Sequence, residues 1–236
     1  MADADTASAD GSANRASASL RLVYGEDARI GGQVQTLDAM LRTVQITDIE
    51  RLNASIPCYT PGSFIATERG EVAVANLKLG DRLVTRDNGL QKIEWIGQTP
   101  YAWQDLGLNP LLRPVLIRAG SLGSSVPERD LLVSPNHRML LGQGDDEVLV
   151  AARDLTRLPG INVVSPNSVT YVQLLLSHHQ AILADGAWSE SFEPTMDALE
   201  IMSDANRHAI KAVTSLDSRD VLRPVATSGD LNVRAL

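Results

Sequence analysis

Cysteine is almost missing from this chain: Cys58 is the single one among 236 residues. A lone thiol has no partner within the chain, which excludes a disulfide scaffold. Aromatic residues are scarce at 4%, so Leu, Val, Ile and Ala must build the core. No apolar run approaches the length of a membrane span. The opening Met1-Ala2-Asp3-Ala4-Asp5 has neither the basic nor the apolar region of a signal peptide. There is no Lys/Arg cluster, and the formal net charge is -8, so nucleic acid is not an expected partner.

What is present suits a globular protein. Hydrophobic residues make up 44% and charged residues 21%, and the length allows one all-β domain with tails, or a domain with a small helical appendage. Residues 1 to about 19 are Ala, Ser and Asp with little else, too polar to offset the entropy of ordering, and are expected to be disordered. In residues 20–57, short strands are expected at Leu20–Tyr24 and Val44–Ile46, and a helical turn at Asp48–Asn53.

Cys58 opens the stretch Cys58-Tyr59-Thr60-Pro61-Gly62-Ser63-Phe64-Ile65-Ala66-Thr67, after which strand signals dominate. The Pro61-Gly62 pair predicts a turn beginning at Cys58. Strands are predicted at Phe64–Thr67, Val72–Val74, Arg82–Thr85 and Gln91–Ile96, with Asn88-Gly89 as a hairpin turn. Further strands are predicted at Val115–Arg118, Asp130–Val133, Arg138–Leu141, Glu147–Val150, Ile161–Val164, Tyr171–Leu176 and Ala181–Ala184. Residues 99–113 and 120–129 read as loops. A helix capped by Thr195 is predicted from Met196 to about Val213, with Leu199, Met202, Ala205, Ala209 and Ala212 on one face. Beyond it the chain reads as irregular.

A lone cysteine with histidines elsewhere in sequence is the pattern of a thiol nucleophile. The bland reading is a small buried hydrophobe. Likewise, His137 alone reads as a structural histidine, Ser134 as a turn residue before Pro135, and Asp185-Gly186 as a turn. Cys58, His137 and His179 are zinc ligands by type, but their spacing supports no dedicated metal site, and no cofactor is expected.

The stretch Cys58–Thr67 resembles the opening motif of Hint (hedgehog/intein) domains, in their bacterial intein-like branch. Several later blocks resemble it in the same order. These are Gly70-Glu71-Val72, Leu77-x-x-Gly80-Asp81-Arg82-Leu83-Val84-Thr85, Arg86-Asp87-Asn88-Gly89, Trp95-Ile96-Gly97, Arg129–Arg138, and Tyr171–Leu175 through His178-His179, Ala184-Asp185-Gly186 and Glu190-Ser191-Phe192. The resemblance covers about residues 56–195. It implies a mostly β, compact, horseshoe-like fold with a short C-terminal helical appendage. The expected division is a flexible leader and flank at 1–57, an autoprocessing domain at 58–195, and a helix and tail at 196–236.

The resemblance also implies a reaction: cleavage in cis of the Pro57–Cys58 bond. Cys58 sulfur would attack the Pro57 carbonyl in an N-to-S acyl shift, forming a thioester. His137 would act as acid on the departing nitrogen, Ser134 would hydrogen-bond near the scissile amide, and His179 would be the late-block histidine. Water, an external thiol or an amine would then open the thioester, releasing the N-terminal flank. The His-Asn ending of splicing members is replaced by Trp188-Ser189-Glu190-Ser191-Phe192, so standard splicing is not expected. Pro57 has a hindered carbonyl and a fixed φ, which would slow the shift. Two alternatives remain: a catalytically idle scaffold that mediates protein contacts, and a trans-acting cysteine hydrolase. Relatives in the family are often attached to secreted bacterial proteins, yet no export signal is visible, and localisation stays open.

Overall fold

Side-chain alternation accounts for the first strands of the main sheet. In β4 (Phe64–Thr67) the second and fourth residues, Ile65 and Thr67, are buried, and β6 (Arg82–Thr85) repeats the pattern with Leu83 and Thr85. The computed structural model describes residues 21–23, 33–37, 43–48, 56–200, 202–214 and 222–227. The leader at 1–19 and the helical turn expected after Asp48 lie outside the described residues. Strands β1 (Arg21–Val23), β2 (Gln33–Leu37) and β3 (Thr43–Asp48) form an antiparallel sheet in chain order.

The remaining strands are β5 (Gly70–Ala73), β7 (Gly89–Ala102), β8 (Val115–Ile117), β9 (Leu131–Val133), β10 (Arg138–Leu141), β11 (Val148–Ala151), β12 (Ile161–Val163), β13 (Ser168–Leu176), β14 (Ala181–Ala184), β15 (Ala187–Glu190) and β16 (Val225–Ala226). The fold is mostly β, as expected. A ten-stranded sheet runs β13-β7-β6-β4-β14-β15-β10-β11-β16 with β5 beside β4, and a small sheet runs β12-β8-β9. Strand β14 pairs with both β4 and β6, which curls the large sheet around a core of Ile, Leu and Val side chains. The β6–β7 hairpin closes at Thr85 opposite Gly89, whose φ of 62° is one that glycine adopts without strain.

Four expectations need correction. Residues 99–102 are strand, not loop: β7 pairs with β13 through Ala102 opposite Ser168, and α1 (Trp103–Leu108) follows. Pro100 is tolerated because β6 pairs with β7 only over Gly89–Lys92, so that part of β7 has no β6 neighbour for a ladder bond. Strand β15 was not foreseen; Asp185-Gly186 is its turn, pairing Ala184 with Ala187. The single C-terminal helix is two, α2 (Met196–Glu200) and α3 (Asp204–Val213), because Ser203 starts a new helix by accepting from the Asn206 N–H at 3.3 Å. The break rotates the buried face, so Ile210 turns inward while Ala205, Ala209 and Ala212 are exposed. Finally, the tail is not wholly irregular: β16 adds in parallel to β11. Among the described residues no helix is long and apolar enough to cross a membrane.

Candidate active site

Residues 58–60 are threaded between two strands rather than opening a turn. Tyr59 exchanges backbone hydrogen bonds of 2.9 Å with Val172 of β13, and the Ser134 N–H donates to the Cys58 carbonyl at 3.0 Å just beyond β9. The turn comes two residues later, where the Ser63 N–H reaches the Thr60 carbonyl at 3.0 Å. Cys58 is therefore fixed on both sides by β structure and is 3% exposed.

Three groups hold the thiol and its own amide. The Cys58 N–H donates to Ser134 Oγ at 3.0 Å, and the Ser134 hydroxyl donates onward to the Ile56 carbonyl at 3.1 Å. The thiol donates to the same carbonyl at 2.9 Å. Gln173 Nε2 donates to Cys58 Sγ at 3.1 Å. Burial pushes the thiol pKa up to about 12, against the lowering effect of Gln173 and Ser134. At neutral pH the group is a protonated thiol.

Ser134 lies in the turn between β9 and β10, where the His137 N–H closes back on the Ser134 carbonyl at 3.1 Å. His137 is fully buried and sits edge-on to Tyr59, with ring centroids 4.4 Å apart. Neither ring nitrogen has a hydrogen-bond partner. Burial, with Arg138 adjacent, lowers its pKa to about 3, so the imidazole is neutral at pH 7. An unpartnered buried polar group is costly to keep. The Tyr59 hydroxyl pairs with Ser189 Oγ at 2.7 Å.

His179 is placed differently. Its Nε2 lies 3.2 Å from Glu190, whose carboxylate also accepts from the Arg138 N–H at 2.9 Å and pairs with the Arg138 guanidinium at 3.2 Å. It lines a cavity of about 470 Å³ together with Asn88, Gln91 and Arg223. Cys58, Ser134 and Gln173 line another, of about 390 Å³. The structure thus joins Cys58 to Ser134, sets His137 against the residue after the cysteine, and puts His179 in a separate pocket. Its neighbour His178 is exposed. Among the described residues no group of three or more His, Cys, Asp or Glu side chains is placed to hold a metal ion.

Gln173 and Glu190 were not foreseen as site residues. The signal for Gln173 was a polar residue within the apolar run Tyr171–Leu176, all of it buried, where an amide needs a partner. Its room comes from Gly97 opposite it on β7, where a Cβ would meet the Gln173 amide oxygen and the Trp95 ring.

A family model described as the Hint domain matches residues 57–196. Among solved structures, the chain is similar to the bacterial intein-like domain from Clostridium thermocellum. The two are 13% identical over 58% of this chain and 98% of that one, with a TM-score of 0.41. It is also similar to a DnaB intein from Synechocystis, at 12% identity over 57% of this chain and 98% of that one, with a TM-score of 0.36. No curated protein matches the chain.

Proposed function

The chain belongs to the Hint domain family, and from that membership we propose that it cuts its own backbone in cis between Pro57 and Cys58. Hint folds support self-processing chemistry in general. The observation that carries the specific reading is that both atoms exchanged in an N-to-S shift are gripped: Ser134 holds the nitrogen of Cys58, while Gln173 and the Ile56 carbonyl hold its sulfur.

The balance of the step is simple. A bond forms between Cys58 Sγ and the Pro57 carbonyl carbon, the Pro57–Cys58 amide bond breaks, and one proton passes from sulfur to nitrogen. The Gln173 amide stabilises negative charge developing on sulfur. The Ser134 hydroxyl touches the departing nitrogen and is the group that delivers its proton. The His137 imidazole, neutral and unpartnered, makes no hydrogen bond to Cys58 or Ser134; the acid role expected of it passes to Ser134, and the ring packs against Tyr59. His179 acts indirectly, as a positioning residue: through Glu190 it fixes Arg138 and the strand behind Tyr59. Water, an external thiol or an amine then opens the thioester, freeing the segment that ends at Pro57. The Trp188–Phe192 ending provides no asparagine for splicing. The domain so defined starts at Cys58, with residues 1–57 as its substrate flank.

The burial of a protonated thiol favours a second reading, that of an idle scaffold. Intact mass of the full chain over hours, with and without added thiol and beside Cys58→Ala, separates the two. Self-cleavage yields fragments starting at Met1 and Cys58, faster with thiol and only in the parent. A folded chain that stays whole under every condition supports the scaffold.

A further inference from the structure

The cavity at Cys58 is not walled by the family unit alone. Its lining includes Met202, Ser203 and Asn206, from the end of the α2–α3 connection and the first turn of α3, beyond the matched residues 57–196. The two helices are fastened there by apolar contacts: Ala198, Leu199, Met202 and Ile210 form one cluster with Trp95, Leu175 and Phe192. Ile56, two residues before the nucleophile, packs against this cluster and also against the one that contains Cys58. The helices therefore grip the flank to be released and face the thiol across the same cavity.

Among the described residues, the lining of that cavity carries no Asp, Glu, Lys, Arg or His. Its polar groups are neutral amides and hydroxyls, among them Asn109, Asn206 and Thr99, set between apolar surfaces such as Tyr101, Leu112 and Met202. A charged molecule entering it would shed water without gaining a counter-charge, which is strongly unfavourable. A volume of about 390 Å³ admits a small molecule and not a folded partner.

Building on the cleavage reading above, we infer that the α2–α3 pair forms the wall of the acceptor's route to Cys58 and selects small uncharged nucleophiles to open the thioester. An uncharged thiol or alcohol would attack the Pro57 carbonyl carbon. The carbon–sulfur bond breaks, the acceptor's proton passes to Cys58 sulfur, and the flank leaves as a thioester or ester of the acceptor. Asn206 is half-buried on this wall, so a charge placed there changes the field in the route without emptying the core.

The test uses the full chain and its Asn206→Asp and Asn206→Lys variants. Cys58 is alkylated with iodoacetamide and with iodoacetate, which are similar in size and differ in charge. The ratio of iodoacetate to iodoacetamide rates falls about fivefold in Asn206→Asp and rises about fivefold in Asn206→Lys, the effect of one charge at close range in a partly screened medium. Cleavage by 2-mercaptoethanesulfonate relative to 2-mercaptoethanol shifts in the same directions. An alkylation ratio equal in all three proteins means that the thiol is reached by another path, and overturns the inference. A ratio that moves while no thiol cleaves any of the three upholds the route and defeats the cleavage reading instead.

Discussion

Two cavities on one curled sheet have opposite chemistry. The cavity at Cys58 is lined by neutral groups; its thiol is held by an amide and a carbonyl, and the Cys58 N–H by a hydroxyl. The one at His179 lies among ion pairs. There, Arg223 reaches Asp87 at 2.7 Å and Glu147 at 2.8 Å, Arg86 reaches Glu147 at 2.7 Å, and His179 meets Glu190. The second arrangement ties the tail to the sheet: Pro224 accepts from the Leu149 N–H at 2.8 Å, and β16 follows directly. Charge serves attachment at one end, and burial keeps the thiol protonated at the other. The proposed acyl shift exchanges a carbon–nitrogen for a carbon–sulfur bond with no net change of charge, which a neutral lining suits.

The comparison can be broken at several points. The largest effect is expected from Ser134→Ala. Losing the only side chain seen on the Cys58 nitrogen among the described residues should slow the proposed cleavage by about a hundredfold or more, as removal of a catalytic hydrogen-bonding group does. The fragment-appearance rate by mass measures this, and a rate within threefold of the parent would remove Ser134 from the chemistry.

Next is pH. Because the Cys58 pKa lies at about 12, far above neutrality, each unit of rising pH increases the thiolate roughly tenfold, and the increase continues beyond the range where an ordinary thiol, near 8.5, has levelled off. Alkylation of Cys58 by iodoacetamide should therefore still be rising between pH 9 and 10. A rise of less than about twofold over that step, in place of one near tenfold, would show an unperturbed thiol.

On the charged side, Glu147→Gln should lower stability by about 2 kcal/mol, since it strips a buried carboxylate from two guanidiniums that stay partly in water. The urea midpoint falls at constant slope, while the pH dependence of Cys58 alkylation is unchanged. Burial raises the Glu147 pKa, but Arg86 and Arg223 outweigh it and the net shift is downward. The stabilisation is thus complete above the unfolded carboxylate range and is lost as pH falls through the folded value. Parent and variant should converge in stability in acid.

The smallest effect is expected from Gln173→Leu. The sulfur keeps its bond to Ile56 but loses a donor, so cleavage slows about tenfold, near the weight of one neutral hydrogen bond.

Much of this was readable from residues. Strands β4 and β6 follow from alternation, and the β6–β7 turn from Asn88-Gly89, because those signals are local. The break between α2 and α3 was also written locally, in Ser203-Asp204, but the apolar spacing across it suggested one helix. Strand β15 was missed because Trp188–Phe192 mixes polar and apolar residues, and buries Ser189 and Glu190 through long-range partners. The same holds at the site. Cys58 and Ser134 stood in motifs, whereas Gln173 becomes a partner of the thiol only when β13 is laid beside residues 58–60, a contact 115 positions apart in sequence.

The most direct measurement is to incubate the folded full-length chain with hydroxylamine at neutral pH and determine the mass of the N-terminal fragment. A thioester at Cys58 predicts a fragment ending at Pro57 as its hydroxamate, formed in the parent and absent in Cys58→Ala. A chain that remains whole, or one cut elsewhere with no hydroxamate, would contradict the acyl shift at Pro57–Cys58.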